Sequence, residues 1–245
     1  MEIQLTSYVY GLSDKVRLEV TKEVINNSTA DLLLFSGHTI GFVNEIEKLK
    51  SSIKNFQTEV IFELENINSN KINNCLYHIK NGLVKSLYTN QIFTESNEIE
   101  NNPELADRLL NEFETKRKLN INGFSVLIIQ CGEINILKNI QSEENKVVFR
   151  LSQDNQLNEK FARIINGTDI FLNPIHSPMG NQGKMQKRRE FLSKNKKFYF
   201  SFSNTKENTD NLELKSLQYA FYNKKELIEV EKIITDEYIS RIYNI

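Results

Sequence analysis

One cysteine ends an apolar run, and it is the residue in this chain best placed to do chemistry. Residues 124–130, Phe-Ser-Val-Leu-Ile-Ile-Gln, are β-prone and too short for a stable helix, so they read as a buried strand. The run stops at Cys131-Gly132-Glu133, and Ile134, Leu137 and Ile140 predict a short helix beyond it. A thiol at a strand-to-helix turn sits where backbone N–H groups lower its pKa and receive a developing oxyanion. The plain alternative is a buried structural cysteine, free Cys being among the most buried residue types.

The elements that must position such a thiol fit one domain over residues 1–245, since a chain of 245 residues can bury one large core. Short apolar strands alternate with amphipathic stretches. Strands are predicted at 3–10, 31–35, 59–64, 169–172 and 198–202, with a hairpin of 75–79 and 83–88 around Asn81-Gly82. Helices are predicted from Ser13-Asp14, through Ile40, Val43, Ile46, Leu49 and Ile53, and at 103–116, 158–165 and 181–193. A terminal hairpin is predicted from 217–222 and 227–234 about Asn223-Lys224, and surface loops at 94–102 and 205–211. The alternation argues for an α/β protein with helices covering sheet faces.

Composition narrows the chemistry. An apolar fraction of 39% and a charged fraction of 26% are ordinary for a soluble globular chain. No run is long and apolar enough for a membrane span, and the N-terminus lacks a signal pattern, so a cytoplasmic protein with no membrane contact is expected. Two cysteines, Cys75 and Cys131, suit a reducing compartment. No cofactor or metal is expected, because the chain has neither a Gly-rich phosphate loop nor a Cys/His cluster at ligand spacing. A net charge of −1 predicts no bulk attraction to nucleic acid. Residues 184–197 are the exception: Lys184, Lys187, Arg188 and Arg189 sit in a basic helix able to contact phosphates or a protein partner, or simply to face solvent.

Segments distributed along the chain resemble the nitrilase, or carbon–nitrogen hydrolase, superfamily. Residues 30–35 (Ala-Asp-Leu-Leu-Leu-Phe) are similar to its second strand and 126–133 (Val-Leu-Ile-Ile-Gln-Cys-Gly-Glu) to its nucleophile segment. Residues 166–174 are similar to the strand that follows, and 188–193 with 199–204 to a helix leading into a strand that ends in Asn. The resemblance implies a four-layer α-β-β-α sandwich, assembly into dimers or larger oligomers, and a Glu–Lys–Cys triad. In that triad Glu is the general base, Lys stabilises the tetrahedral intermediate and Cys attacks. Cys131 matches. Gly37 stands where the resemblance expects the Glu, and Asn90 where it expects the Lys.

Gly cannot take a proton and Asn carries no charge, so an ordinary amidase is disfavoured. His38, next to the missing Glu, and Glu133, two residues past Cys131, are the substitute bases. The Pro-stiffened loop after Asn173 carries His176, so both are candidates for a pocket rim or for a rigid connection to the basic helix. The expectation is therefore a degenerate nitrilase-like protein that acts by binding or assembly. Nitrilase-like domains also accompany effectors in bacterial phage defence, a setting the resemblance permits. The alternative is a cysteine hydrolase of a nonpeptide C–N bond with a rebuilt base.

Overall fold

The computed structural model describes residues 1–40, 46–68, 71–207 and 210–245, and for 65–68 and 71–74 the backbone alone. Its elements are β1 (Glu2–Tyr8), α1 (Asp14–Asn27), β2 (Leu32–Phe35), α2 (Ile46–Lys50), β3 (Glu59–Asn68), β4 (Lys71–Lys80) and β5 (Leu83–Asn90) in the first part. There follow α3 (Ser96–Ile99), α4 (Pro103–Thr115), β6 (Lys118–Ile121), β7 (Phe124–Ile128), a 3₁₀ segment (Cys131–Ile136), β8 (Leu137–Ile140) and β9 (Lys146–Phe149). The last part is α5 (Asn155–Asn166), β10 (Ile170–Ile175), α6 (Gln182–Ser193), β11 (Phe198–Ser203), β12 (Gln218–Tyr222), β13 (Lys225–Glu226), β14 (Glu231–Ile234) and β15 (Tyr238–Asn244).

Two sheets stack face to face, in the orders β14-β15-β1-β2-β3-β4-β5 and β13-β12-β11-β10-β7-β6. Side chains alternate along a strand, and here both faces are covered, which is why the central strands read as unbroken apolar runs. Leu32 and Leu34 point between the sheets, against Ile128, Leu172 and Phe200. Leu33 and Phe35 point outward, to the layer containing Leu18, Val24 and Leu49 of α1 and α2. On the far side Leu127, Phe171 and Tyr199 meet α4, α5 and α6 through Leu109, Phe113, Phe161 and Met185. The result is the four-layer α-β-β-α sandwich.

Several sequence expectations need correction. The helix after Cys131 is a six-residue 3₁₀ segment, and Leu137 to Ile140 pair with β9 instead. The terminal hairpin turns at Asn223-Lys224 as expected, but its second strand is only the two residues of β13, and β14 leaves for the other sheet, where it pairs with β15. No sequence expectation covers β15, which lies beside β1 over its whole length. In the predicted loop 94–102, Ser96–Ile99 form a short helix. Val43, part of the predicted second helix, and residues 208–209 of the predicted loop 205–211 lie outside the described residues.

Candidate active site

Parallel strands of both sheets deliver their carboxyl ends to one place. β1, β2 and β3 run parallel in the first sheet, and β7, β10 and β11 run parallel in the second. Loops at the carboxyl ends of parallel strands are where open α/β folds put ligands. Here Gln130 and Cys131 follow β7, Ser36 to His38 follow β2, His176 follows β10 and Asn204 follows β11. The Gly37 N–H donates to the Ile175 carbonyl (3.1 Å), tying the two sheets together at this end. Asn204 fixes the same turn: its Nδ2 donates to the Gly37 carbonyl (2.9 Å) and its Oδ1 accepts from the Tyr8 N–H (2.9 Å) and the Ser36 hydroxyl.

Cys131, His176 and Glu63 form a chain of contacts at the centre. His176 is hydrogen-bonded to Cys131, and its Nε2 lies 3.2 Å from Glu63 Oε2. Glu63 is fully buried on β3. Its Oε1 accepts from Gln130 Nε2 (2.9 Å) and its Oε2 from the His38 N–H (3.3 Å). Burial would raise its pKa, but the hydrogen bond and charge of His176 and the hydrogen bond from Gln130 win and hold it below the usual carboxylate range. Burial would likewise pull His176 down. Its hydrogen bonds to Cys131 and Glu63, with the charge of the Glu63 carboxylate, outweigh that and push it up to about 10. The site thus keeps an imidazolium between a sulfur and a carboxylate at neutral pH.

Glycine at position 37 is what makes room for this imidazole. A Cβ there would stand 2.2 Å from His176 Cδ2 and 3.0 Å from Glu63 Oε2. The resemblance expects a Glu side chain at 37, so His176 fills the space that side chain would need. Gly132 serves a second close approach, since a Cβ on it would stand 1.9 Å from the Thr94 carbonyl oxygen.

The other sequence candidates fall in different places. His38 packs edge-on against His176, with ring centroids 3.6 Å apart. Burial, then the His176 charge, push its pKa down to about 3, so it is neutral where His176 is charged. Glu133 is fully buried and already engaged by other donors. It takes the Arg117 guanidinium, the Ile92 N–H (2.6 Å) and the Gln130 N–H (3.0 Å), pinning the Cys131 turn from below. Asn90 accepts at Oδ1 from Cys75 Sγ (2.7 Å) and at its carbonyl from Arg117 Nη2 (2.6 Å), and so brings no positive charge. Asn173 is buried, bonded to the Ile129 carbonyl (2.6 Å) and the Tyr199 hydroxyl (2.9 Å), and lies behind the site, not on its rim.

The basic helix splits into two faces. Arg189 is buried, stacked 3.5 Å over the Tyr219 ring, and Arg188 is held by Asn139 and Asn135 at 2.9 Å each. Only Lys184 and Lys187 of the four face outward. Glu63 lies outside the sequence candidates because the resemblance puts its Glu after β2. The available signal is a lone acidic residue inside the apolar run Val60-Ile61-Phe62-Glu63-Leu64.

No family model matches the sequence, and no curated protein matches it significantly. Solved structures do. The chain superposes on the NitN amidase from Nesterenkonia sp. AN1 with a TM-score of 0.58 and 11% identity, covering 100% of this chain and 92% of the amidase. The fold is that of the carbon–nitrogen hydrolases. XC1258 from Xanthomonas campestris, a CN-hydrolase superfamily protein with an arsenic adduct in its active site, aligns over 100% of this chain and 91% of its own at a TM-score of 0.52 and 9% identity. The glutamine-dependent NAD⁺ synthetase of Cytophaga hutchinsonii (TM-score 0.52, 11% identity) matches 93% of this nitrilase-like chain with 40% of its own. Among the described residues no helix is long and apolar enough to cross a membrane.

Proposed function

We propose that this nitrilase-fold protein is a thiol hydrolase of a nonpeptide C–N bond, an amide or a nitrile, with a rebuilt proton-transfer group. Cys131 is the nucleophile, His176 carries the proton and Glu63 holds His176. The observation that carries this reading is the His176 imidazole set between Cys131 and Glu63, in space that Gly37 leaves open. A nucleophile, a base and a third group that orients the base is the arrangement covalent acyl transfer needs.

On an amide the steps balance as follows. The Cys131 thiolate adds to the carbonyl carbon, and the carbonyl π electrons move to oxygen. The His176 imidazolium protonates the leaving nitrogen, the C–N bond breaks and a thioester remains. Water then adds as the neutral imidazole takes its proton, and the C–S bond breaks. The carboxylic acid leaves, with thiolate and imidazolium restored. The structural neighbour NitN is named an amidase, and a variant of it is complexed with butyramide, which favours short amides as first substrates. The test is mass spectrometry of the protein incubated with a short-amide and nitrile panel. A Cys131 acyl adduct and released ammonia, both lost in Cys131→Ala, are the expected result; no adduct and no turnover across the panel overturns it.

A second reading is the binding or assembly subunit, and Asn90 favours it. The position expected to hold the oxyanion-stabilising Lys carries an amide already engaged by Cys75. That reading expects Cys131→Ala to be silent and disruption of an outer-helix surface to change the assembly state.

A further inference from the structure

Arg17 lies against the same site and takes no part in the chemistry above. It is anchored by Nη1, which donates to the His38 carbonyl, and its guanidinium stands 5.9 Å over the Tyr8 ring. Its Nε is buried and has no hydrogen-bond partner among the described residues. Arg117, Arg150, Arg163 and Arg241 each pair with a carboxylate, to Glu133, Glu100, Glu114 and Glu229, and the buried Arg188 and Arg189 are held by the side chains of Asn139, Asn135 and Gln182. Among the described residues Arg17 makes no such pair; Asp14, on its own helix, acts on it only at a distance. Its charge is felt at the His38 imidazole, which lies edge-on to His176. Arg17, His38, His176 and Cys131 are therefore consecutive neighbours.

We infer that Arg17 reads a carboxylate on the substrate, so that the C–N compound attacked by Cys131 is an amido or cyano acid. The inference rests on the hydrolase reading. A largely buried guanidinium without a counter-charge is costly, and burial already weakens its hold on its proton. A planar carboxylate is the group that a guanidinium meets with parallel N–H···O bonds. The site then has one cation for the reacting group, His176, and a second for the substrate's own charge.

Alkylation of Cys131 tests this without knowing the substrate. The full chain with Cys75→Ser is treated with iodoacetate and 3-iodopropionate, and separately with iodoacetamide and 3-iodopropionamide, the two lengths covering differences in reach. In each case the sulfur forms a C–S bond and iodide leaves. The expected result is an acid-to-amide rate ratio above that of free cysteine, falling roughly tenfold or more in Arg17→Gln while the amide rates change little. Arg17→Lys keeps the charge without the fork and gives an intermediate ratio. It replaces the glutamine variant if that one has no melting transition. An unchanged ratio with a reactive Cys131 overturns the role of Arg17 and leaves the hydrolase reading intact. A Cys131 no faster than free cysteine with either class removes the hydrolase reading itself, and this inference with it.

Discussion

Gly37 and His176 exclude each other's side chains. With His176 in place, a Cβ at 37 would come within 2.2 Å of the imidazole Cδ2. Overpacking of this kind costs about 1–3 kcal/mol in a buried site. Gly37→Ala is therefore expected to lower the urea midpoint and slow Cys131 alkylation by displacing the imidazole. His176→Ala removes the nearer obstacle and leaves only Glu63 Oε2, 3.0 Å from such a Cβ, so Gly37→Ala on that background should cost much less. A double-mutant cycle measured by urea unfolding reads the coupling directly, at about 0.5–3 kcal/mol for residues in contact. Additivity within error would show that the two positions do not compete for space.

Glu63 reaches the sulfur through His176. Glu63→Gln keeps the shape and an oxygen for Gln130 but removes the charge that helps push His176 up to about 10. The pH at which His176 loses its proton, followed by its imidazole NMR signal, should move down. Alkylation of Cys131 at neutral pH should slow by roughly tenfold, and His176→Asn should slow it further, since general acid–base groups supply about 10² to 10⁴ in rate. Activity should fall in kcat and leave KM nearly unchanged, as a group that binds no substrate predicts. A purely structural Glu63 would lower the melting temperature and leave the His176 titration where it is.

Apolar runs made an α/β layering legible and the resemblance supplied the sandwich, but spacing could not assemble the site. Leu32 to Phe35 and Ile170 to Leu172 are apolar on both faces because both faces are covered, and a continuous run says that directly. Cys131 was legible for a related reason: it ends such a run at the carboxyl edge of a parallel strand. His176 and Glu63 are 113 residues apart and meet only because β3 and β10 lie in facing sheets. Glu133 misled through proximity, since a turn two residues past Cys131 sends its side chain beneath the sulfur, to Arg117. Arg188 and Arg189 misled through composition: a charge run does not say which of its members lie on the packed face.

His38 sets the acid limb of stability. Its pKa is about 3 in the folded protein against about 6.5 in an unfolded chain. As pH falls below about 6.5 the unfolded state takes a proton that the folded state refuses, so folding free energy is lost, by up to ~1.4 kcal/mol per pH unit from this group. The groups acting on it are His176 and Arg17, which oppose protonation, and Glu63, which favours it. His176 is charged in the fold throughout, and in an unfolded chain below about pH 5.5, where it adds no slope; nearer pH 6.5 it offsets part of the decline, equally with or without His38. His38→Asn suits the positive φ of 55° and should flatten the decline between about pH 6.5 and 4.5. Urea midpoints across that range check it; parallel curves for the two proteins would mean that His38 is protonated in the fold.

Arg117 and Glu133 are a buried ion pair whose removal should separate support from chemistry. Both side chains are fully buried, and Arg117 also holds the end of β5 through Thr89 Oγ1 (2.9 Å) and the Asn90 carbonyl (2.6 Å). Removing one partner strands the other charge, at about 3–5 kcal/mol, whereas replacing both with apolar residues is often near neutral. Arg117→Met alone should therefore unfold at much lower urea, and Arg117→Met with Glu133→Leu should recover a large part of the loss. Recovery will stop short of complete, because the Ile92 and Gln130 N–H groups lose their acceptor, at about 1–3 kcal/mol for a buried donor. The folded double variant then decides what Glu133 does for Cys131. If Glu133 only holds the turn, the alkylation rate falls while the His176 titration stays put. A shift of that titration would make Glu133 part of the proton-transfer chain.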